Sequence, residues 1–517
     1  MDTVGVILVS STGTRSPTAG ILMDALRMTR QDSVRLVPDP RRVITKLFLP
    51  RDDAHTDGSS RLEVMLKRIM ALTDVEVADS LATARKLFAD RHRDFDAVLD
   101  RHHAVVATRF AALFTSAITI ERRRLIGAYF THEYSIDAAA LGNPSIVAAP
   151  DQSGVTAGAV RFIMSVRAIG EGHISSIEFR TGVIDAGGTV ELDQVSNYAE
   201  TGVRVPHAYD KEFFTTKLDD LAMLNEVEER VLERLSERFT MAELEAAIET
   251  LDDDGIDRSM SGETTRLLHW LASSNYRVSF PSSTELSERV LFPSGPTESH
   301  GMEDARFVRF VDDDGTVTYY ATYTAFDGQQ ILPQLIETAD FAEFRMATLT
   351  GHAAQNKGIA IFPRRIDGKF VALGRQDNVN NFVMTSDDIR VWREATVIQE
   401  PKRPWELMQL GNCGSPIETG AGWLVITHGV GPMRRYTLGA LLLDIDDPCQ
   451  VIGHLQEPLL SPRDDEREGY VPNVVYSCGS LIHGDHLVLP YGYADVGARV
   501  ATIRVDELLN RLTDPMT

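Results

Sequence analysis

Two adjacent carboxylates and an arginine stand together in the stretch Gly301–Arg306, which reads Gly-Met-Glu-Asp-Ala-Arg. It comes immediately before Phe307–Phe310, an apolar run typical of a strand. Because neighbouring side chains of a strand point to opposite faces, Glu303 and Asp304 are expected to do different jobs. One should face a cleft while the other ties down the structure. An isolated pattern of this kind is most often a salt-bridged turn, so its interpretation depends on the rest of the chain.

The bulk properties set limits on the function. The chain has 517 residues, of which 43% are hydrophobic and 25% charged, and its formal charge is −23. This length favours two or three domains. The negative charge argues against nucleic-acid partners and anionic membrane surfaces. No apolar run reaches the length of a membrane span, and the first residues do not resemble a signal peptide, so we expect no membrane association.

The cysteines and the helical pattern describe the compartment and the first domain. Cys413, Cys449 and Cys478 show no metal-type spacing, which fits a reducing cytoplasm and predicts no metal site. Residues from about 40 to 135 have helical periodicity, and we predict a helical N-terminal domain over 1–135. Within 61–70, four apolar side chains fall on one helix face: Leu62, Met65, Leu66 and Ile69.

From residue 140 onward, short β-rich runs recur between Gly, Pro, Asn and Asp. Each copy consists of a strand, a Gly-containing hairpin turn, a second strand and further β structure. The copies begin at Asn143, Glu303, Gly358, Gly414 and Pro472. The last four starts lie 55, 56 and 58 residues apart, and a period near 50 is typical of a β-propeller. We therefore predict a mainly β fold, with a five-bladed β-propeller over 136–517.

A helical insertion is predicted between the first and second blades, at about 210–273. Thr240 followed by Glu243 has the pattern of a capping box at a helix start. A propeller gathers loops from all its blades at one end of a central channel, so residues from distant blade starts can meet there. The candidates at those positions are Asn143, Arg167, Ser175, Ser176, Asp304, Arg306, Lys357, Arg375, His428, Tyr436 and Asp495.

The ordered motifs resemble glycoside hydrolase family 130, the β-mannoside phosphorylases and β-mannosidases. The motifs are Gly301–Arg306, Tyr323–Asp327, Lys357–Pro363, Gly422–Leu424 with His428–Gly429, and Tyr491–Asp495. The resemblance covers most of 140–510 and implies a five-bladed propeller, in agreement with the repeat count. Two stretches, 362–365 and 411–414, depart from the usual sequence of the family.

The resemblance implies a role for each candidate. Asp304 is similar to the family's general acid, which is thought to protonate the leaving oxygen through a sugar hydroxyl. The implied substrate-binding residues are Asn143, Arg167, Ser175, Ser176, Arg306, Tyr323, Arg375 and Asp495. The implied phosphate-binding residues are Lys357, His428 and Tyr436. The motifs do not place the family's remaining phosphate-binding arginine, for which Arg345 is one candidate.

We therefore predict an inverting phosphorylase that cleaves a β-mannoside with inorganic phosphate and yields α-mannose 1-phosphate. Phosphate is the nucleophile in such a reaction, so one catalytic acid suffices, and basic side chains should hold the anion. The expected partners are an oligosaccharide and phosphate as co-substrate, with no further cofactor; a homo-oligomer is left open.

Three alternatives stay open at this point. An inverting β-mannosidase would need a second acid such as Glu406 or Glu468 to activate water. A mannosyltransferase could run the same site towards synthesis. A carbohydrate-binding propeller would use the site without turnover.

Overall fold

The computed structural model describes residues 28–50, 60–114, 117–220, 226–250 and 258–512. The fold over these ranges is mainly β, as predicted, with helices concentrated before the first large sheet and in one insertion. Across these described ranges, the helices are all too short or too polar to cross a membrane.

Four helices follow one another near the start of the described chain: α1 (Arg61–Met70), α2 (Asp74–Phe88), α3 (Phe95–Arg109) and α4 (Ile120–Tyr129). On α1, Leu62, Leu66 and Ile69 are buried against α4, which confirms the predicted apolar face. Ser60 caps α1 by accepting a hydrogen bond from the main-chain N–H of Glu63.

The segment predicted as a helical N-terminal domain over 1–135 also contains strands. Strand β1 (Thr29–Leu36) pairs antiparallel with 497–504 near the other end of the chain, and β2 (Val43–Leu47) pairs with β3 (Thr131–Ser135). Only Val34 and Leu36 of β1 are buried in the core, so its apolar alternation is too short to indicate a strand. Residues 1–27 of the predicted domain lie outside the described residues.

Sheet 1 contains β4 (Ala140–Ala148), β5 (Val160–Ile169), β6 (Ser175–Ile184) and β7 (Val190–Leu192). The next segment contains β8 (Glu200–Thr201), β9 (Val203–Val205), β10 (Tyr209–Asp210), α5 (Lys211–Asp220), α6 (Glu226–Glu233), β11 (Arg238–Phe239), α7 (Met241–Glu249), α8 (Arg258–Ser274), β12 (Tyr276–Ser279) and β13 (Arg289–Leu291). The helices α5–α8 have a hydrophobic core of their own. The predicted capping box is confirmed, because Thr240 and Glu243 each accept from the other's main-chain N–H.

Four further antiparallel sheets follow. Sheet 2 is β14 (Gly301–Val311), β15 (Val317–Phe326), β16 (Ile331–Thr338) and β17 (Glu343–Thr348), extended beside β17 by β12 and β9. One parallel pair, Gly301 with Ser175, joins sheet 2 to sheet 1. Sheet 3 is β18 (Ala360–Ile361), β19 (Phe370–Gly374), β20 (Asn381–Ser386) and β21 (Glu394–Gln399). Sheet 4 is β22 (Gln409–Asn412), β23 (Ile417–Thr419), β24 (Gly422–Gly431), β25 (Arg435–Leu443) and β26 (Val451–His454). Sheet 5 is β27 (Val475–Tyr476), β28 (Leu481–His483), β29 (His486–Tyr493) and β30 (Gly497–Arg504), completed by β1 and followed by α9 (Val505–Leu512).

Each sheet packs against the next, and sheet 5 also packs against sheet 1. Aromatic pairs mark three of these contacts: Phe179 with Phe307, Phe310 with Phe370, and Phe362 with Trp423. Sheets 4 and 5 share one core that α9 covers, while sheets 5 and 1 share another to which β1 contributes. The buried apolar faces between the sheets hold their ends in fixed relative positions.

Candidate active site

The candidate residues meet because of the way each sheet is wound. The first strand of a sheet is antiparallel to the second, so its start lies beside the hairpin that joins the second and third strands. In sheet 4, for example, Gln409 at the start of β22 pairs with Val430 at the end of β24. In sheet 5, Val475 pairs with Tyr493 just before the next hairpin. These ends of the sheets surround one cavity.

The cavity has a volume of about 200 Å³. Its walls are formed by Asn143, Asp304, Lys357, Gly358, Arg375, Gln409, Gly411, Asn412, His428, Arg434, Tyr436, Val471, Val474, Tyr476 and Asp495. The structure therefore brings together most of the residues singled out from the sequence, and all three implied phosphate-binding residues are among them.

Asp304 and Asn143 occupy matching bulges in the first strands of sheets 2 and 1. The pairing register shifts between Glu303 and Arg306 in β14, and between Gly142 and Ser145 in β4. Asp304 has a φ of 57° and Asn143 a φ of 48°, a region that non-glycine residues seldom occupy. Bulges re-aim side chains, and here the Asn143 amide donates a hydrogen bond to Oδ1 of Asp304.

The charge state of Asp304 results from opposing influences. Burial disfavours its charge, but Arg167, Arg306, Lys357 and the hydrogen bond from Asn143 outweigh it, so the pKa of Asp304 lies below its ordinary value of 3.8. Nη1 of Arg167 lies 3.7 Å from Oδ1 of Asp304. In the free protein Asp304 is therefore a carboxylate at neutral pH.

Glu303 links two cations: Lys357, which lines the cavity, and Arg167, a predicted substrate-binding residue that is not part of the cavity wall. Its Oε1 accepts from Nη2 of Arg167 at 2.6 Å, and its Oε2 accepts from Nζ of Lys357 at 2.8 Å. The side chains of Glu303 and Asp304 do different jobs, as strand alternation suggested, although a bulge rather than simple alternation separates them. The positioning role of Glu303 was not assigned from the sequence.

Arg306 contacts two residues of the cavity wall but is not itself part of the wall. Its guanidinium is buried, donates to the main-chain carbonyl of Asp304 at 3.1 Å and donates to the hydroxyl of Tyr476 at 2.7 Å. Tyr476 lines the cavity, whereas Arg306 holds the backbone of the bulge. The expectation that Arg306 binds substrate therefore becomes an expectation that it positions Asp304.

His428 and Arg375 form a directional pair. Nη1 of Arg375 lies 3.1 Å from Nε2 of His428, and a guanidinium can only donate, so Nε2 accepts and the ring is neutral. Nδ1 lies 3.7 Å from the sulfur of Cys413. Burial, Arg375 and Arg306 lower the pKa of His428 well below its ordinary value of 6.5, which keeps the imidazole neutral.

Close packing at Gly411 holds this pair. A Cβ at Gly411 would lie 2.5 Å from Cε1 of His428 and 3.1 Å from Cδ of Arg375, so only glycine leaves room there. Nε of Arg375 is buried and has no hydrogen-bond partner within the described ranges. A buried donor without a partner beside a cavity indicates a place for an acceptor such as an anion.

Asp495 is the second carboxyl group of the cavity. It lies in the hairpin between β29 and β30, with a φ of 50°. Burial raises the pKa of Asp495 above its ordinary value, and Asp304 and Glu303 raise it further, while Arg167 and Arg434 oppose them. The pKa values of Asp304 and Asp495 are thus shifted in opposite directions, a pattern found where two carboxyl groups have different roles.

Four other sequence candidates lie elsewhere. Tyr323 donates to Glu298 inside the core of sheet 2, so it does not reach the cavity, because its side chain points to the packed face of β15. Ser175 and Ser176 are buried at the start of β6 and are not part of the cavity wall. Arg345 lies on β17, 42% exposed, with Nη1 3.7 Å from Oε2 of Glu337, which is incompatible with the proposed phosphate role.

Arg434, Tyr476 and Gln409 line the cavity but were missed. Arg434 lies between β24 and β25 of sheet 4. This position is equivalent to that of Asp495, which lies between β29 and β30 of sheet 5. Aligning the hairpins of the repeats would have indicated it, because the equivalent hairpin of sheet 3 supplies Arg375. The Gln409 amide donates to the hydroxyl of Tyr436 at 3.2 Å.

Comparison with known proteins shows what the chain is similar to. The family model for glycoside hydrolase family 130, described as beta-1,4-mannooligosaccharide phosphorylase, matches residues 274–514. The chain is 34% identical over 230 residues to the 1,2-beta-oligomannan phosphorylase of Thermoanaerobacter sp. (strain X514), an alignment that covers 43% of this chain and 75% of that protein. It is 31% identical over 229 residues to the beta-1,2-mannobiose phosphorylase of Listeria innocua, covering 43% and 63% of the two chains.

A solved structure of beta-1,2-mannobiose phosphorylase from Listeria innocua, in complex with beta-1,2-mannobiose, matches with a TM-score of 0.44 and 23% identity over 73% of this chain and 93% of that chain. The family model and the curated relatives place the chain in a class, the carbohydrate-active enzymes. Within that class, the sequence matches show that the chain belongs to glycoside hydrolase family 130.

Proposed function

We propose that the protein is an inverting phosphorylase that cleaves a β-mannoside with inorganic phosphate, and that its five sheets are the blades of a β-propeller. The propeller is supported by the order of packing, since each sheet contacts the next and the fifth contacts the first. The relatives named above, which are mannoside phosphorylases, support the reaction class.

One observation carries the proposal: a carboxylate and several anion-binding side chains share a single cavity. Lys357, Arg375 and Arg434 supply positive charge, and Tyr436 supplies a hydroxyl. Lys357 and Arg375 belong to the segment of sheet 3 and Arg434 and Tyr436 to sheet 4, whereas Asp304 belongs to sheet 2. A phosphate held by them would face a sugar held beside Asp304, as attack on the anomeric carbon requires.

In this mechanism a phosphate oxygen attacks the anomeric carbon while the bond to the leaving oxygen breaks, and Asp304 supplies the proton that the leaving oxygen gains. Asp304 is ionised in the free protein, so it must take up a proton first. Bound phosphate would offset the positive charge of Lys357 and thereby raise the pKa of Asp304. Phosphate would then prepare the acid as well as act as nucleophile.

His428 acts in this scheme as a positioning residue. Its neutral ring accepts from Arg375, stacks on Tyr436 at 5.9 Å and turns the guanidinium towards the cavity. The direct phosphate contact inferred for His428 from the family motif is replaced by a contact through Arg375.

A β-mannosidase is the second candidate, and one observation favours it. Asp495 lines the same cavity and is, among the described residues, its only carboxyl group besides Asp304. A hydrolase would use it to activate water. Glu406 is instead buried in an ion pair with Arg403 at 2.7 Å, and Glu468 is exposed outside the cavity. The cationic groups around the cavity favour phosphate over water.

The test is incubation of the full chain with β-1,2- and β-1,4-mannobiose, each with and without phosphate, followed by separation of the products. We expect mannose 1-phosphate only when phosphate is present. Free mannose at a rate independent of phosphate would overturn the proposal in favour of the β-mannosidase. The two substrates also decide the linkage.

A further inference from the structure

Four exposed apolar side chains lie within two residues in sequence of the cavity wall. Leu407, Met408, Met433 and Tyr470, here called the apolar rim, are 61%, 64%, 91% and 66% exposed. Each is adjacent or nearly adjacent in sequence to a residue of the cavity wall, namely Gln409, Arg434 or Val471. Large apolar side chains at such exposure are normal when scattered, but a group beside a binding cavity suggests a contact surface.

The three loops that carry the rim are held together. The main-chain N–H of Met408 donates to the carbonyl of Val430 at 3.1 Å, beside the turn that contains Met433. The amide of Gln409 donates to Tyr436 at 3.2 Å, and the main-chain N–H of Tyr436 donates to the carbonyl of Asn473 at 3.1 Å. The rim is therefore one surface built from sheets 4 and 5.

The turn in sheet 4 has Met433 at the position where a similar turn in sheet 1 has a glycine. Sheet 1 has a turn of the same kind at its cavity end, with Gly172 at φ 66° and His173 at φ 59°. The turn in sheet 4 has Met433 at φ 59° and Arg434 at φ 55°. Glycine adopts this backbone without strain, whereas a non-glycine residue is strained there. A methionine kept at a strained, exposed position beside a cavity points to a role in binding.

Tyr470 adds an exposed aromatic ring to the apolar rim. Its ring stacks on His173 of sheet 1, with ring centres 5.7 Å apart and an angle of 22° between the planes. The next residue, Val471, lines the cavity. One face of the Tyr470 ring is thus occupied, while the side chain as a whole is exposed at the mouth.

We propose that the apolar rim binds the sugar units of the acceptor side that lie beyond the two units flanking the cleaved bond. Pyranose rings present C–H faces that pack on aromatic and thioether side chains while their hydroxyls stay in water. The rim continues the cavity outwards, so its occupant is the part of the substrate that does not fit inside. This inference rests on the proposed function and makes the enzyme selective for oligosaccharides over disaccharides.

The test measures binding and turnover separately. Titration calorimetry of Asp304→Asn gives dissociation constants for β-mannobiose and for a β-mannotetraose of the same linkage. We expect the tetraose to bind at least about tenfold more tightly, equivalent to about 1.4 kcal/mol. Adding Met433→Gly, which reproduces the turn of sheet 1, or Tyr470→Ala should reduce this ratio towards one.

Ile452→Ala is the matched control, because Ile452 is also exposed, at 39%, but lies on β26 away from the cavity. It should leave the ratio unchanged. The proposal is overturned if the tetraose binds no better than the biose, or if neither binds. It is also overturned if the rim variants keep the same ratio of dissociation constants as Asp304→Asn alone. It is also overturned if those variants change only the oligomeric state seen by sedimentation. Failure of the proposed function would appear separately, as wild-type turnover that ignores phosphate.

Discussion

The two sides of the cavity differ in how their charges are balanced. The acid wall consists of Asn143, Asp304 and Asp495 from sheets 1, 2 and 5, with Arg167 and Glu303 beside them but outside the cavity lining. The basic wall consists of Lys357, Arg375, His428, Arg434 and Tyr436, from sheets 3 and 4. Arg167 and Lys357 both pair with Glu303, whereas Arg375 and Arg434 of the basic wall form no ion pair among the described residues. Under the proposed function, phosphate would supply a negative charge beside the basic wall and would also control the proton on Asp304.

The largest expected effect comes from the acid wall. Asp304→Asn keeps the size of the side chain but removes the proton donor, so cleavage of β-mannosides should fall about 10²- to 10⁴-fold. The measurement is the rate of mannose 1-phosphate formation, with circular dichroism as a check of folding. Asp495→Asn is the matched comparison: if it alone abolished activity while a folded Asp304→Asn protein kept near-normal turnover, the roles of the two acids would be reversed.

The basic wall should respond through phosphate. Lys357→Ala removes a charged donor, and a hydrogen bond to a charged group contributes about 1.5–3 kcal/mol, so KM for phosphate should rise by about one to two orders of magnitude. KM for the mannoside should change much less. Arg345→Ala is the control, because this exposed arginine should leave both constants unchanged. Equal changes in the two constants would show that Lys357 does not act through phosphate.

A smaller effect is expected where the basic wall is packed. Gly411→Ala places a methyl group 2.5 Å from the His428 ring and 3.1 Å from Arg375, so the pair must move apart. Binding of phosphate should weaken about tenfold, equivalent to about 1.4 kcal/mol. Gly420→Ala has no atom within 4 Å of the added carbon and should behave like the wild type. Unchanged phosphate affinity in Gly411→Ala would show that His428 and Arg375 do not contribute to phosphate binding.

The smallest effect is on stability at low pH. Because burial, Arg375 and Arg306 hold the pKa of His428 below its ordinary value of 6.5, the unfolded chain binds more protons than the folded one below that pH. The contribution of His428 is present above pH 6.5 and is lost as pH falls below it. Wild type should therefore lose more Tm between pH 7.5 and 5.5 than His428→Phe, which cannot be protonated. An equal loss in both proteins would mean that folding does not lower the pKa of His428.

The fold and the site differ in how far the sequence revealed them. The turn-rich repeats indicated a mainly β fold and located Asp304, Lys357 and Asp495 at sheet ends. The pattern missed β1, because its polar residues hide a strand that only its partner β30 reveals. It also misplaced Tyr323 and Arg345, since the direction of a side chain depends on which face of its sheet is packed. Arg434 was missed because it lies in a turn rather than in a motif.

The central claim is that phosphate, rather than water, accepts the mannosyl group. It is tested most directly by following wild-type cleavage of a β-mannobiose by NMR, with and without phosphate. The account predicts that the ³¹P signal of α-mannose 1-phosphate rises in step with loss of the disaccharide, and that no cleavage occurs without phosphate. Free mannose as the first product, at the same rate with or without phosphate, would contradict it.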